Sequence, residues 1–247
     1  MNLARRHLLL GLAACPICAG AARSAEGPHW NYGDEGPEKW ASLDPANSVC
    51  SAGDQQSPVD LHDGVRVQLP AISPNWRSDP LKVTNNGHTL QLNTDPGSNT
   101  AIGDGRAELV QFHFHTPSEH AVEGRRSAME AHFVHKLGDG LAVLGVLLSA
   151  GPANSAFHAI MAAAPAKTGE AGAAQAFDPR TLLPRDLGAA WRYEGSLTTP
   201  PCSQTVAWVV FEESVTVAQA DIDAFKAIFP MNARPLQPLN RRFLLRG

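Results

Sequence analysis

Two segments of this sequence carry its main structural signal: Gln111-Phe-His-Phe-His-Thr-Pro-Ser-Glu-His120 and Met129-Glu-Ala-His-Phe-Val134. Alternate residues of a β-strand point to the same face of a sheet. If the first segment is a strand, His113 and His115 share one face, and the phenylalanines beside them point into the opposite layer. Antiparallel pairing with the second segment would place His132 next to them. The pattern predicts a β-sheet on which three histidines converge.

Three imidazoles are a ligand set typical of zinc. They leave the fourth tetrahedral position open for water, which is the arrangement of a catalytic site, whereas structural sites are normally closed. Gln111 and Glu130 have the same parity as the histidines, so we expect them to hydrogen-bond the ring nitrogens that face away from the metal. The sequence therefore predicts a Zn²⁺ site formed by His113, His115 and His132.

Histidines two residues apart also occur on solvated strand faces that bind nothing. Here five of the ten histidines lie between His113 and His135, on segments that are otherwise strongly apolar, which disfavours a merely solvated face. His120 and His135 have the wrong parity or a loop position, so we interpret them as structural. His29 belongs to the N-terminal arm.

The first 25 residues have the features of an export signal peptide. They contain Arg5 and Arg6, an apolar run from Leu8 to Ala14 and small residues up to Ala25, without any acidic residue. This segment is too short to be a membrane span of the mature protein. We therefore expect a periplasmic or secreted protein whose single domain comprises residues 26–247.

Two details of the signal suggest different export routes. The paired arginines resemble a twin-arginine signal, whereas Leu12-Ala-Ala-Cys15 resembles a lipoprotein cleavage box, which is the less favoured alternative. Ordinary cleavage would leave Cys50 and Cys202, an even number of cysteines in an oxidising compartment. We expect a disulfide between them.

Composition restricts the class of partner. The chain has 247 residues and 43% hydrophobic content, enough for a large core in one β-rich domain. Removing Arg5, Arg6 and Arg23 with the signal leaves 17 basic and 24 acidic residues, hence a net charge of −7. That charge disfavours nucleic acid and anionic membranes as partners. A homodimer is left open.

The rest of the chain consists mainly of short alternating segments separated by turns. Residues 26–57 are expected to form an irregular arm packed by Trp30, Tyr32 and Trp40. Helical periodicity is limited to Asn154–Ala163 and Ala218–Ile228. The prediction is a mainly β (α+β) domain dominated by an antiparallel sheet, with a few surface helices and long loops. The predicted strands are Val65–Gln68, Leu81–Thr84, Thr89–Asn93, Glu108–His115, Met129–Lys136, Leu141–Ser149 and Thr205–Glu212.

Further motifs reveal a resemblance to a known family. A proline-fixed loop has the sequence Gly195-Ser-Leu-Thr-Thr-Pro-Pro-Cys202. With the histidine motifs and Ser118-Glu-His120, it closely resembles the α-class carbonic anhydrases. The resemblance covers almost the entire mature chain, from His29-Trp-Asn-Tyr32 to Asn232-Ala-Arg-Pro235. The short interval from His115 to Glu119 is similar to that of the bacterial, exported branch.

The resemblance implies a large, twisted, mainly antiparallel sheet and a zinc enzyme that hydrates carbon dioxide reversibly. Zinc-bound hydroxide would attack carbon dioxide, giving bicarbonate and a proton. By position, His113, His115 and His132 correspond to the zinc ligands, and Thr198 and Glu119 to a gate. Thr198 would donate a hydrogen bond from its hydroxyl to Glu119 and accept one from the zinc-bound hydroxide.

The resemblance also assigns the surroundings of the zinc. His88 corresponds to a proton shuttle, a task suited to an imidazole that titrates near neutrality, although a surface turn histidine is the alternative. The polar side, which would hold waters, comprises Tyr32, Asn86, Gln91 and Thr199. The predicted substrate contacts are Thr199 and the residues of an apolar side. Without the resemblance, these apolar residues would be interpreted as plain core. They are Val134, Val143, Leu197, Val206 and Trp208.

Two other classes of protein share part of these sequence patterns. The spacing of His113, His115 and Glu119 mimics the first metal motif of cupins, but nothing near Pro200 supplies the later histidine that a cupin requires. A non-catalytic carbonic anhydrase-like binding protein usually lacks a zinc histidine, whereas all three are present here. Weak hydrolysis of activated esters is expected as a side activity of the same site.

Overall fold

The computed structural model describes residues 29–80, 82–173 and 176–247. The predicted export signal and Leu81 lie outside the described residues. Within the described ranges, no helix is long and apolar enough to cross a lipid bilayer.

Sixteen strands and four α-helices occur in the described part of the chain. The helices are α1 (Trp40–Leu43), α2 (Val49–Ala52), α3 (Ser155–Ala162) and α4 (Gln219–Ile228), with 3₁₀ turns at Pro45–Asn47 and Pro179–Leu182. The strands are β1 (Asp60–Leu61), β2 (Val65–Arg66), β3 (Ile72–Asn75), β4 (Lys82–Asn85), β5 (Leu90–Asn93), β6 (Asn99–Ile102), β7 (Gly105–His115), β8 (Ala121–Val122), β9 (Arg125–Arg126), β10 (Met129–Leu137), β11 (Gly140–Ala150), β12 (Ala171–Ala173), β13 (Ala190–Gly195), β14 (Val206–Phe211), β15 (Val215–Val217) and β16 (Leu245–Arg246).

One large mixed sheet forms the body of the protein. Its main path has the order β12-β4-β5-β7-β10-β11-β14-β13-β16-β2, and β3, β6 and β15 pair off this path. Most neighbours are antiparallel, but β11 pairs in parallel with β14 and β15, and β16 with β2. The prediction of a mainly β single domain is confirmed, with these parallel pairs as an addition.

The central strand β10 is buried on both faces along most of its length, whereas β7 is fully buried on one face only. Along β7, Phe112 and Phe114 are fully buried on the side opposite His113 and His115, as the alternation predicts. A register shift between Val134 and His135 of β10 interrupts the pairing with β7, so that Leu109 is buried in the core and Val110 is 44% exposed. The bulge keeps apolar residues in the core at the far end of the strand.

Separate apolar clusters lie on the two faces of the sheet. On one face, α3 and α4 pack through Phe157 and Phe225 against the phenylalanines of β7. On the other face, a second cluster includes Val143 and Trp208 and lies beside the histidines. The histidines therefore project from a sheet that is rigidly packed from behind.

The arm contains more structure than the sequence indicated. Trp30, Tyr32 and Trp40 pack edge to face as predicted, with ring centroids 5.2–5.7 Å apart. However, α1 and α2 lie in the segment predicted to be irregular. Each helix has four residues, about one turn, which is too short to show a helical period.

All seven predicted strands and both predicted helices are present, with small shifts at their ends. The largest shift is at the start of β7, which begins at Gly105 and not at Glu108, and the first predicted strand ends at Arg66 and not at Gln68. The prediction missed β13 and a set of short or edge strands. These missed strands, of two to six residues, are β1, β3, β6, β8, β9, β12, β13, β15 and β16.

Candidate metal centre

The register of two strands, β7 and β10, brings the predicted ligands together. His132 of β10 pairs directly with His113 of β7, and Glu130 pairs with His115. One nitrogen from each of the three rings can be chosen so that all lie within 4.8 Å of one another. The alternation and the antiparallel pairing proposed from the sequence are both present, and together they bring the three histidines close to one another.

Each of these rings is held by a hydrogen bond at the nitrogen that faces away from the other two. His113 Nδ1 lies 2.8 Å from Gln111 Oε1, and His132 Nε2 lies 2.9 Å from Glu130 Oε1. His115 Nδ1 lies 2.7 Å from the backbone carbonyl of Asn232. The nitrogens left to face the site are Nε2 of His113, Nε2 of His115 and Nδ1 of His132.

Sequence reasoning found two of these three anchors and missed the third. Gln111 and Glu130 are side-chain partners whose parity could be read along their strands. Asn232 contributes its main-chain oxygen and lies 117 residues away from His115 in the sequence. No pattern of side chains in the sequence can predict a hydrogen bond to such a main-chain carbonyl.

The environment of the rings favours neutral imidazoles at two positions. Burial, reinforced by the neighbouring histidines, holds the pKa of His113 well below its ordinary value. Burial also lowers the pKa of His115, against the opposing effect of Glu119. Burial acts to lower the pKa of His132 too, but the Glu130 carboxylate outweighs it and raises that pKa. Neutral imidazole is the form that binds a metal.

Glu130 is the centre of a buried hydrogen-bond network. Its Oε1 lies 2.7 Å from His120 Nδ1, and its Oε2 accepts from the backbone N–H groups of Glu119 and His120 at 2.8 Å. Burial would raise the pKa of Glu130, but His120 and His132 outweigh it and hold the pKa well below its usual range. The other nitrogen of His120 lies 2.6 Å from the hydroxyl of Tyr193, in keeping with a structural histidine.

The predicted gate residues are both buried, and their direct hydrogen bond stays a prediction. Glu119 Oε1 accepts from the backbone N–H of Arg234 at 2.8 Å. Its Oε2 lies 3.6 Å from His115 Nε2 and 3.9 Å from His132 Nδ1. Thr198 is 5% exposed, in the loop after β13. Among the described residues, no hydrogen bond joins Thr198 to Glu119.

A cavity of about 120 Å³ opens beside the histidines. It combines His113 and His115 with the whole set predicted for the polar side. Asn86 Nδ2 donates to Gln91 Oε1 at 3.2 Å, and Gln91 pairs in register with His113. The lining residues are Trp30, Tyr32, Asn86, His88, Thr89, Gln91, Gln111, His113, His115 and Thr199.

His88 is fixed in a turn at the mouth of this cavity. Asn86 Oδ1 accepts from the backbone N–H groups of His88 and Thr89, both at 2.9 Å. The half-buried His88 ring stacks on Trp30 with centroids 3.7 Å apart, and His29 lies 6.0 Å away. Burial, followed by the charge of His29, lowers the pKa of His88. The ring is therefore neutral and able to accept a proton near pH 7.

The residues predicted for the apolar side belong to one cluster. Val134, Val143 and Trp208 form a row across β10, β11 and β14, because Val134 pairs with Val143 and Val143 with Trp208. Val206 and Trp208 are buried, and Leu197 packs at the edge of the cluster. The Trp208 and His132 rings lie 4.9 Å apart. These residues do not line the 120 Å³ cavity, so their contact with substrate stays a prediction.

The predicted disulfide between Cys50 and Cys202 is present. Cys202 donates its backbone N–H to Thr199 at 2.9 Å, and Arg234 donates to the carbonyl of Cys50 at 2.9 Å. Burial lowers the pKa of Arg234 to about 10, so the guanidinium is charged near pH 7. The disulfide and Arg234 connect the arm to the loop that carries Thr198.

Comparisons with known proteins agree with this site. The family described as eukaryotic-type carbonic anhydrase matches residues 35–246. The carbonic anhydrase of Neisseria gonorrhoeae is 42% identical over 239 residues, which cover 95% of this chain and 94% of that protein. That of Nostoc sp. is 37% identical over 259 residues, covering 99% of this chain and 98% of its own length.

Solved structures give the same result. The α-carbonic anhydrase of Thermovibrio ammonificans, in complex with the inhibitor sulfanilamide, superposes with a TM-score of 0.86 and 38% identity. The match covers 89% of this chain and 100% of that one. The sequence matches, the shared fold and the three converging histidines together place this chain in the α-class, or eukaryotic-type, family of carbonic anhydrases.

Proposed function

We propose that this protein is a zinc-dependent enzyme that interconverts carbon dioxide and bicarbonate. The observation that carries the proposal is the three-histidine cluster in which each outward nitrogen is already hydrogen-bonded. The inward Nε2 of His115 is buried and has no hydrogen-bond partner among the described residues. An orphaned buried nitrogen between two other histidines fits a metal ligand.

Zinc in such a site supplies an acidified water as the nucleophile. His113, His115 and His132 would hold the metal, with Gln111 and Glu130 fixing two of the rings. Neutral ligands leave the positive charge of the metal uncompensated, which favours acidification of the water.

Thr198 and Glu119 are proposed to select and orient the nucleophile. Glu119 Oε2 has no hydrogen-bond partner among the described residues and lies on the histidine side of the carboxylate. It is therefore free to accept a hydrogen bond from the hydroxyl of Thr198, whose oxygen can then only accept a hydrogen bond from the nucleophile. The row formed by Val134, Val143 and Trp208 would receive the apolar substrate.

His88 is proposed to carry the released proton from the cavity to buffer. It lines the same cavity as His113, at the outer end, and Tyr32, Asn86, Gln91 and Thr199 provide polar groups between them. A neutral imidazole accepts a proton and returns it to solvent near pH 7. Weak cleavage of activated esters by the same nucleophile is proposed as a side activity.

We also propose that the protein is exported. The disulfide between Cys50 and Cys202 is expected of an oxidising compartment. The acid-free sequence of residues 1–25 supports the same proposal.

Stopped-flow hydration of carbon dioxide by the purified protein would test the proposed reaction, before and after chelation and with zinc measured on the same sample. We expect fast, chelator-sensitive hydration and about one zinc per chain. The variant His115→Ala should lose both zinc and activity, whereas the matched control His62→Ala, at an exposed histidine, should keep both. Stoichiometric zinc without hydration would overturn the catalytic proposal, and absence of zinc would overturn the ligand assignment.

A further inference from the structure

A groove of about 540 Å³ lies on the reverse of the strands that form the apolar side of the metal centre. On β14, Val206 and Trp208 face the histidine side, so Ala207 and Val209 face the groove. Most of its wall consists of residues of β13, β14 and the C-terminal segment. The groove lining is Gln55, Ile102, Leu137, Ala142, Arg192, Tyr193, Glu194, Ala207, Trp208, Val209, Arg242, Phe243 and Leu245.

The groove is mainly apolar and open to solvent. Phe243 is 74% exposed, a high value for a phenylalanine, and the side chains of Ile102, Leu137 and Leu245 are only partly buried. Its size lies in the range of sites that enclose small organic molecules. Exposed apolar surface of this kind has a favourable free energy of burial against an apolar ligand.

One cation in the groove lacks a counter-charge. Arg192, opposite Val209 in the sheet, is half-buried and donates one N–H to the carbonyl of Pro70. Its Nε is buried without a hydrogen-bond partner among the described residues, and no carboxylate of those residues forms an ion pair with it. Burial lowers the pKa of Arg192, with no acidic neighbour to oppose it.

The other charged groups of the groove do not neutralise Arg192. Glu194, two residues along β13, is exposed and makes no ion pair with it among the described residues. Arg242 donates to the carbonyls of Leu239, Glu194 and Gln56, so it is also satisfied by neutral acceptors. The groove therefore contains two guanidinium groups and one solvated carboxylate.

We propose that this groove binds a carboxylate with an apolar body, such as a medium-chain alkanoate. The carboxylate would accept hydrogen bonds from the Arg192 guanidinium, which suits bidentate recognition of a carboxylate. The apolar chain would lie along Val209, Leu245 and Phe243. A half-buried cation without a counter-charge, bordered by an apolar channel, is more complementary to such a ligand than to a neutral one.

Decanoate, used below its micellar concentration, is a suitable probe, and 1-decanol is its uncharged counterpart. Binding to the zinc-loaded chain would be measured by calorimetry, with and without chelation. We expect Arg192→Met to weaken decanoate at least roughly tenfold, because a charge-assisted hydrogen bond is lost, and to leave 1-decanol unchanged. Arg125→Met, at an exposed arginine outside the groove, is the matched control and should change neither.

Two further variants keep the test independent of folding. Arg192→Lys retains the charge and should keep part of the decanoate affinity, and Phe243→Ala, at an exposed side chain, should weaken both probes. Thermal unfolding would establish that each variant is folded.

Decanoate that binds equally well to Arg192→Met but is lost on chelation would place the ligand at the metal centre and overturn the proposal. The proposal would also fail if wild type bound no decanoate. A dimer in sedimentation velocity that Phe243→Ala dissociates, with no decanoate bound, would instead assign the groove to a second copy of the chain.

Discussion

Three chemically different acceptors fix the rings of the three proposed zinc ligands: the amide oxygen of Gln111, the main-chain oxygen of Asn232 and the carboxylate of Glu130. Only the carboxylate carries a charge, so it does more than orient its ring. It increases the electron density on the His132 ring and raises its pKa, whereas the pKa values of His113 and His115 are lowered. His132 is therefore the most basic of the three proposed ligands. The proposed zinc affinity should therefore depend more on Glu130 than on Gln111.

The variant Glu130→Gln tests this dependence. The amide retains the shape of the side chain but removes the charge, so we expect the affinity for zinc to fall roughly 10- to 100-fold. Competition with a chromogenic chelator would measure the change. Gln111→Glu, which adds a charge behind His113, should not weaken zinc binding, and equal losses in both variants would contradict a role for the charge of Glu130.

The pKa of His88 is open to a direct test. The charge of His29 disfavours the protonated form of His88 and so contributes to its lowered pKa. Replacing His29 with Gln removes that repulsion, so the pKa of His88 should rise towards its ordinary value, as followed by NMR titration of the ring protons. His62→Gln, at an exposed histidine elsewhere, should leave it unchanged. A lower pKa in His29→Gln would show that the sign of this interaction is wrong.

At the scale of elements, the site depends on how closely neighbouring strands approach. Gly145 of β11 pairs with His132 of β10, and a Cβ there would lie 2.9 Å from Glu130 Oε1. That oxygen cannot move freely, because it is held by His120 and His132. A glycine in the adjacent strand thus makes room for the carboxylate behind the proposed metal site.

Gly145→Ala should therefore disturb both stability and metal binding. We expect a loss of about 1–3 kcal/mol in the free energy of unfolding, typical of an overpacked core, together with weaker zinc binding. Urea unfolding and zinc titration would measure the two effects. In the control Gly105→Ala, the atom nearest to the added Cβ would be 3.4 Å away, so the free energy of unfolding and the zinc affinity should both stay close to wild type. Unchanged zinc affinity in Gly145→Ala would show that Glu130 relaxes without cost.

The long, strongly alternating strands could be predicted from the sequence because each buries a periodic set of side chains. β7 and β10 are of this kind. Their pattern predicted that the three histidines lie together and that Gln111 and Glu130 hydrogen-bond two of the rings. Short pieces such as α1 and β16 could not be predicted, since two to four residues show no period and depend on tertiary contacts. β13 does alternate, with Trp191 and Tyr193 buried and Arg192 and Glu194 more exposed, so this strand could have been predicted and was overlooked.

At the scale of the whole molecule, a buried neutral histidine links stability to pH. His135 lies between Thr100 Oγ1, 2.8 Å from its Nε2, and the carbonyl of Phe133, 2.9 Å from its Nδ1. Burial lowers its pKa from 6.5 to about 4. The unfolded chain binds a proton in the window between these values and the folded chain does not, so acidification there favours unfolding.

Stability from this source should be complete above about pH 6.5 and decrease as the pH falls towards 4. Between pH 7 and pH 4.5, His135 should account for a loss of about 2–3 kcal/mol in the free energy of unfolding. In His135→Gln, which can still bond Thr100, urea unfolding should show a correspondingly shallower dependence on pH. The exposed control His62→Gln should retain the wild-type slope, and an unchanged slope in His135→Gln would exclude a lowered pKa.

The bond between Cys50 and Cys202 closes a covalent ring of chain that contains all three proposed histidine ligands. A single cut by a protease within this ring cannot separate the fragments. The exposed hairpin at Lys136, Gly138 and Asp139 is an accessible place for such a cut. Trypsin-nicked protein should therefore run as one band on a non-reducing gel and as two after reduction, and two bands without reductant would contradict this. In the oxidising compartment proposed for this protein, the disulfide of a nicked molecule would keep the fragment with the three proposed ligands joined to the fragment that carries Thr198.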